Sequence, residues 1–196
     1  MIYVRGADST IAEALSDLHQ IHPVLRGEQM PDDGEKYLFC TGLIRPKQSI
    51  DQSAEEIAET LKINVIDIIR ECDRLISINP KARICVTGSE SAFKGSFDGI
   101  YAASKAALHR YVETKRLKCP DQQLVCVAPT CILNTGMNRQ RNADGVAALE
   151  RRRLAHPKQR WLQPMEVARM IHFLLCVDAG YTTNVVIRMG GGEHCV

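Results

Sequence analysis

The chain has 196 residues, 45% hydrophobic and 24% charged, with a formal net charge of +2. That length supports one domain with a sizeable core, residues 1–196, and leaves little room for two. The near-neutral charge gives no global pull toward nucleic acid or a membrane surface. No apolar run reaches the length of a membrane span, and MIYVRGADST lacks the basic, apolar and small-residue succession of a secretory leader. A cytoplasmic protein with no nucleic-acid or membrane partner is expected.

Short apolar runs alternate with helix-length amphipathic segments, the pattern of an α/β fold with a parallel sheet flanked by helices. The first run is Ile2 to Arg5, and a helix is expected from about Ile11 to Gln20. The following stretch, IHPVLRGEQMPDDGE, is too short for a complete further strand–helix passage, so it holds one small strand near His22 to Arg26 or none. Strands then follow at Tyr37 to Cys40, Arg83 to Gly88, Leu124 to Ala128 and Val185 to Arg188. Helices are expected at Ala54 to Ile78, Tyr101 to Lys118 and Pro164 to Cys176, with another near Gly145 to Leu154. Ser53 and Glu56 have the spacing of a capping box that opens the first of these.

The eight cysteines, at 40, 72, 85, 119, 126, 131, 176 and 195, lie scattered, several inside apolar runs. They read as small core hydrophobes, and without Cys-x-x-Cys spacing no metal site or disulfide framework is expected. The turn RGADSTIAEAL follows a strand and opens a helix, the place where an α/β fold receives a phosphate on free backbone N–H groups. Gly6 is its one glycine, and Thr10 and Ala12 are small enough to permit close approach.

In YAASKAALHRYVETKRL, Tyr101 and Lys105 stand four residues apart and share a helix face. An ammonium beside a phenol favours the phenolate, which is how a tyrosine becomes an acid/base near neutral pH. A half-buried Tyr with a solvated Lys has the same spacing.

Taken together, these stretches resemble the short-chain dehydrogenase/reductase family. YAASKAAL is similar to its Tyr-x-x-x-Lys helix, RICVTGSESAFKG to the strand that ends in its catalytic serine, and LKINVIDII to the helix bearing its asparagine. FCTGL stands at its Asn-Asn-Ala-Gly strand end, RGADSTIA at its Thr-Gly-x-x-x-Gly-x-Gly turn, and VCVAPTCILNTGM at its Pro-Gly loop. RWLQPMEVARMIHFLLCVDAGYTTNVVIRMGGG resembles its closing helix, strand and glycines.

The resemblance implies a Rossmann-like, doubly wound parallel sheet whose N-terminal edge, the second and third strand region, is abbreviated. It also implies an NAD(P)-dependent oxidoreductase moving a hydride between nicotinamide and a small carbonyl or alcohol. Its tetrad maps to Asn64, Ser89, Tyr101 and Lys105. Tyr101 is the acid/base, Ser89 holds the carbonyl oxygen, and Lys105 lowers the Tyr pKa and holds the nicotinamide ribose. Asn64 keeps a relay water by interrupting the hydrogen bonding of its helix, or is a satisfied core amide. Ser91 competes with Ser89. Cofactor contacts map to Gly6, Ser9, Thr10, Ile11, Gly42, Tyr101, Lys105, Pro129, Thr130 and Ile132, with Thr135 one place late.

NAD and NADP stay unseparated, Arg26 being the nearest residue to attract a ribose phosphate. Segment 136–160, at the family's substrate lid, carries Arg139, Arg141, Arg151, Arg152, Arg153, Lys158 and Arg160 against Asp144 and Glu150, a local excess of +5. It reads either as a solvated helix face or as an attractor of an acidic substrate. In the family the asparagine and Tyr-x-x-x-Lys helices pack against their mates in a dimer; here Leu61, Ile68, Ile69, Leu75, Leu108, Tyr111 and Val112 offer apolar positions for such a contact or for the core, and a homodimer or homotetramer is expected. Because the departures cluster at the adenosine side, a non-catalytic structural or regulatory protein derived from the family is the alternative.

Overall fold

The computed structural model describes residues 1–45, 47–132, 143–177 and 179–193, without the side chains of 143–146 and 149. Six strands form one parallel sheet: β1 (Ile2–Arg5), β2 (Ile21–Val24), β3 (Lys36–Phe39), β4 (Arg83–Thr87), β5 (Gln123–Pro129) and β6 (Val185–Met189). Their order is β2-β1-β3-β4-β5-β6. The chain thus leaves β1 toward one side and returns on the other, so a crevice opens at the carboxyl ends of β1 and β3, where open α/β sheets bind ligands. Among the described residues, no helix is long and apolar enough to cross a membrane.

The sheet is sandwiched. Strand side chains alternate between its faces, so in β5 Val125 and Val127 join one core while Leu124 and Cys126 join the other. The first core is covered by α1 (Thr10–Ser16) and by the helix after the lid region, Pro164–Cys176, through Ile11, Leu15, Val167, Ile171 and Leu174. The second is covered by Asp67–Ile78 and Gly99–Thr114, through Ile68, Cys72, Leu75, Leu108 and Val112. Each such aliphatic side chain, fully buried, contributes about 1.5–3 kcal/mol. In chain order the remaining helices are α2 (Ala54–Leu61), α3 (Asp67–Ile78), α4 (Ser91–Lys94), α5 (Gly99–Thr114), α6 (Ala143–Ala155) and α7 (Pro164–Cys176).

The abbreviated edge is a real strand. β2 runs over Ile21–Val24, shifted from the expected His22 to Arg26, and contains Pro23, which an edge strand tolerates because no ladder bond needs its missing N–H. No helix joins β2 to β3, although parallel strands usually need one. An extended strap crosses α3 instead: Met30, 1% exposed, donates its N–H to Glu71 at 2.9 Å, and Arg74 reaches the Met30 carbonyl at 2.5 Å. Asn79 at the end of α3 donates to the Gly34 carbonyl at 2.5 Å.

Ser53 and Glu56 form the expected capping box at the start of α2. The expected single helix from Ala54 to Ile78 is broken in its middle by a π-helical turn, Lys62–Ile66, that joins α2 to α3. The Tyr101 helix begins two residues earlier than expected and ends at Thr114, because buried Asp98 caps it by accepting the Tyr101 N–H at 3.0 Å. Among the described residues Cys40, Cys72, Cys85, Cys119, Cys126 and Cys176 form no disulfide, and Cys195 lies outside them.

Candidate functional site

The carboxyl ends of β3 and β4 meet Tyr101 and Lys105. Asp98, 0% exposed, also accepts the Arg45 N–H and Gln52 Nε2, both at 2.9 Å, so the start of α5 is fixed from three directions. Tyr101 therefore sits in a rigid first turn. Its phenol, in a residue 6% exposed, lies beside the Ser89 side chain. Ser91, the competing serine, opens α4 and donates its backbone N–H to Ser89 Oγ at 3.1 Å. The two serines have different jobs: Ser89 faces the phenol and Ser91 orients Ser89.

Lys105 lies one turn on and is 2% exposed. Its Nζ donates to the Thr87 carbonyl at 2.8 Å and the Thr41 carbonyl at 3.4 Å, and stands 5.9 Å from the Tyr101 ring centroid. With no carboxylate to balance it, burial lowers its pKa from 10.5 to about 8. Burial raises the Tyr101 phenol above its ordinary value, opposed by the nearby Ser89 side chain. Burial thus favours the protonated phenol.

Asn64, 0% exposed, lies within the π-helical turn, so the regular hydrogen bonding of its helix is interrupted there. Its side chain is fully engaged. Oδ1 accepts the Leu43 N–H at 2.7 Å, and Nδ2 donates to the Leu43 carbonyl at 2.9 Å and to Ser104 Oγ at 3.0 Å. It pins the loop after β3, and with it Gly42, against α5.

His109, one further turn along α5, was not singled out from the sequence, although it continues the i, i+4 spacing of Tyr101 and Lys105. It is 5% exposed and accepts the Ser89 N–H through Nε2 at 3.2 Å. Burial, then the Lys105 charge, lowers its pKa to about 4, so it is neutral and can serve as that acceptor. Gly88 makes room for it: a Cβ there would stand 2.1 Å from His109 Nε2 and 2.6 Å from Cys126 Sγ. Gly88→Ala is therefore expected to destabilise by about 1–3 kcal/mol and to push His109 off Ser89. Urea denaturation checks the first effect, and the His109 imidazole titration by NMR checks the second.

At the β1 end, Gly6 has φ +87°, and a Cβ there would meet the Cys40 carbonyl at 2.8 Å, so only glycine lets the ends of β1 and β3 close up. Ser9 caps α1 by accepting the Ala12 N–H at 3.2 Å and donates to Cys40 Sγ at 3.2 Å. The N–H groups of Thr10 and Ile11, in the first turn, have no intrahelical acceptor. A dinucleotide fits the donors here: those two N–H groups at the crevice, and a Lys105 ammonium with two of its three hydrogens used.

Across the crevice, the Pro129 carbonyl accepts the Glu90 N–H at 3.0 Å, and Ile132 bridges to Leu162. The Thr130 hydroxyl donates to Glu193 at 3.1 Å. Glu193 also binds Lys94 at 2.7 Å and Arg152 at 2.9 Å. These partners outweigh its burial and hold its carboxyl down at about 2. Thr130 also borders a cavity of about 270 Å³ shared with His156, Leu162, Met170 and Met189.

The expected excess of free positive charge in the lid region is smaller than its composition: Arg152, Arg153 and Arg160 pair with Glu193, Glu150 and Glu166. Arg151 and Lys158 are exposed, as is Arg26 beyond β2, while Thr135, Arg139 and Arg141 lie outside the described residues, as does the Asp144 side chain. Of the positions expected at a subunit contact, Ile68, Leu75, Leu108 and Val112 are instead committed to the internal core, which leaves Leu61, Ile69 and Tyr111 only part-buried.

Comparison with known proteins adds to this geometry. A family model described as Enoyl-(Acyl carrier protein) reductase matches residues 37–194. The vibriobactin-specific 2,3-dihydro-2,3-dihydroxybenzoate dehydrogenase of Vibrio cholerae is 25% identical over 171 residues, covering 78% of this chain, which spans only 63% of that relative's length. Two solved structures match in fold. The short-chain dehydrogenase/reductase, glucose/ribitol dehydrogenase, of Brucella melitensis has a TM-score of 0.82 at 19% identity, covering 100% of this chain and 96% of that one. A small-chain dehydrogenase in complex with NADPH has a TM-score of 0.80 at 18% identity, covering 98% and 97%. With most of its length inside the family model and its strand ends arranged around Tyr101 and Lys105, this chain belongs to the short-chain dehydrogenase/reductase family.

Proposed function

We propose that the protein is an NAD(P)-dependent oxidoreductase that reduces a small carbonyl compound, or oxidises the corresponding alcohol, with Tyr101 as the acid/base. The observation that carries this reading is a buried phenol beside the Ser89 side chain, with the buried Lys105 ammonium 5.9 Å from its ring and bonded to the Thr87 carbonyl at 2.8 Å. A carbonyl oxygen at that hydroxyl pair would receive two hydrogen bonds, which stabilise the charge that develops on it. Tyr101 then gives its proton to that oxygen. The bound nicotinamide supplies the hydride. Lys105 has one hydrogen left for a ribose hydroxyl, while Asn64 and Asp98 keep the Gly42 loop and α5 in register. Residues 1–196 act in this reading as one unit.

The dinucleotide would lie from Lys105 across Gly42 to Gly6, Ser9, Thr10 and Ile11, with Pro129 and Ile132 bordering its nicotinamide end. NADPH in the small-chain dehydrogenase of similar fold supports a nicotinamide cofactor here. The exposed Arg26 just beyond β2 favours NADP over NAD through its charge. Titration with NADPH and NADH, followed by the fluorescence of Trp161, the single tryptophan, tests this. Saturable binding with NADPH the tighter ligand is expected. No binding of either at roughly millimolar concentration, the upper end of ordinary KM values, would overturn the reading in favour of a non-catalytic family member.

A further inference from the structure

The geometry points to a metal site at the end of the sheet opposite Tyr101, formed by His19, His172 and Cys176 and suited to Zn²⁺ or another borderline cation. Helices in a parallel sheet run against the strands. The ends of α1 and α7 therefore meet at the amino ends of the strands, far from the carboxyl ends that carry Ser89 and Gly42. His172 and Cys176 are one turn apart on α7 and share a face. His19 comes from beyond α1, its backbone N–H held by the Leu15 carbonyl at 3.0 Å. The two helices cover the same core, so packing brings His19 to this pair.

One ligand atom from each residue lies within 4.8 Å of the other two, and the His19 and His172 rings are 5.6 Å apart. Ligands around tetrahedral zinc stand about 3.5 Å apart, given Zn–N and Zn–S bonds of about 2.0–2.3 Å. Side-chain torsions alone can close that difference. The second observation is His19 Nε2, which is buried and has no hydrogen-bond partner among the described residues. Buried ring nitrogens are ordinarily paired, and a cation would satisfy this one.

The donor chemistry selects the ion. Two imidazoles and a thiolate suit zinc, cobalt or copper and disfavour magnesium and calcium, which prefer oxygen. Binding would take the neutral imidazoles and drive the Cys176 thiol proton into solvent. A fourth position remains for water. The consequence is a clamp between α1 and α7, separate from turnover.

The test uses full-length protein, reduced with a phosphine and stripped by chelator, with Co²⁺ as a spectroscopic probe. One equivalent is expected to bind with tetrahedral d–d absorption and a thiolate-to-cobalt charge-transfer band, to be displaced by Zn²⁺, and Zn²⁺ is expected to raise the melting temperature. Cys176→Ser should lose the charge-transfer band. His172→Gln and His19→Gln should each weaken Zn²⁺ by at least about tenfold, while all three melt like wild type without metal. The proposal fails if wild type takes up no stoichiometric ion, or if the band and the affinity survive in these variants, which would place the ion elsewhere.

Discussion

Tyr101→Phe is expected to lower kcat for carbonyl reduction by about 10²–10⁴-fold, the range for loss of a positioned proton donor. The substitution removes one oxygen from a buried ring that otherwise packs as before. It removes the hydroxyl that lies beside the Ser89 side chain, a change that costs at most about 1 kcal/mol of stability. NADPH affinity should be unchanged, because the groups that hold the dinucleotide, Lys105 and the crevice N–H donors, are intact. That split separates the two readings of this chain. An enzyme loses turnover and keeps its cofactor, whereas a protein that uses the fold as a scaffold shows the same biological behaviour with either side chain. Because burial holds the phenol above its ordinary pKa, Tyr101 stays a competent acid throughout the neutral range. Reduction should therefore show no loss of rate from Tyr101 ionisation there. A variant keeping more than about a tenth of wild-type kcat would remove Tyr101 from the chemistry.

Much of this site was legible because its parts sit at strand ends and at one-turn spacings. The alternation of apolar runs and amphipathic segments gives the parallel sheet, and Tyr101 and Lys105 announce a shared face by being four residues apart. What stayed hidden depends on contacts between distant segments. Asp98 reads as an ordinary helix cap, yet it also gathers Arg45 and Gln52, separated from it by 53 and 46 residues. His109 looks like a polar residue on a helix until Gly88 is seen beneath its ring.

Spacing records proximity but not desolvation, and in this buried pair desolvation is the larger influence on both groups. Apolar spacing likewise could not tell an internal helix face from a subunit face, and Ile68, Leu75, Leu108 and Val112 turned inward. The strap between β2 and β3 is a third case. Its Met30 anchor and the Glu71–Arg74 pair that receives it are 41 and 44 residues apart in sequence, and no local pattern marks them as partners.

Lys105→Met is the substitution expected to move stability and function in opposite directions. Lys105 is 2% exposed and lies among carbonyl groups without a counter-ion. Its pKa in the folded protein is about 8, against 10.5 for the unperturbed side chain, a difference that corresponds to about 3 kcal/mol. The folded state binds this proton less tightly than the unfolded chain does. The cost is therefore fully present below about pH 8, where both states are charged, and is relieved as pH rises from about 8 to 10.5; the stability contributed by this group increases with pH in that window. Methionine has similar bulk and no charge, so it removes the cost but leaves the Thr87 carbonyl without its donor, a loss of about 1–3 kcal/mol. At pH 7 the two nearly cancel or leave the variant slightly more stable. At pH 10.5, where the lysine is neutral, only the lost hydrogen bond remains and the variant is the weaker protein. The difference in unfolding free energy between variant and wild type should thus fall by about 3 kcal/mol across that interval, and urea titrations at the two pH values measure it with every other titrating group in common. A difference independent of pH would mean that Lys105 keeps its ordinary pKa. Activity gives the other half. Methionine cannot hold a ribose hydroxyl, so NADPH binding and turnover should both fall, in contrast to Tyr101→Phe, which spares binding. An uncompensated cation that lowers stability at neutral pH is what a site kept ready for a cofactor would carry, and this pair of measurements asks whether Lys105 is such a group.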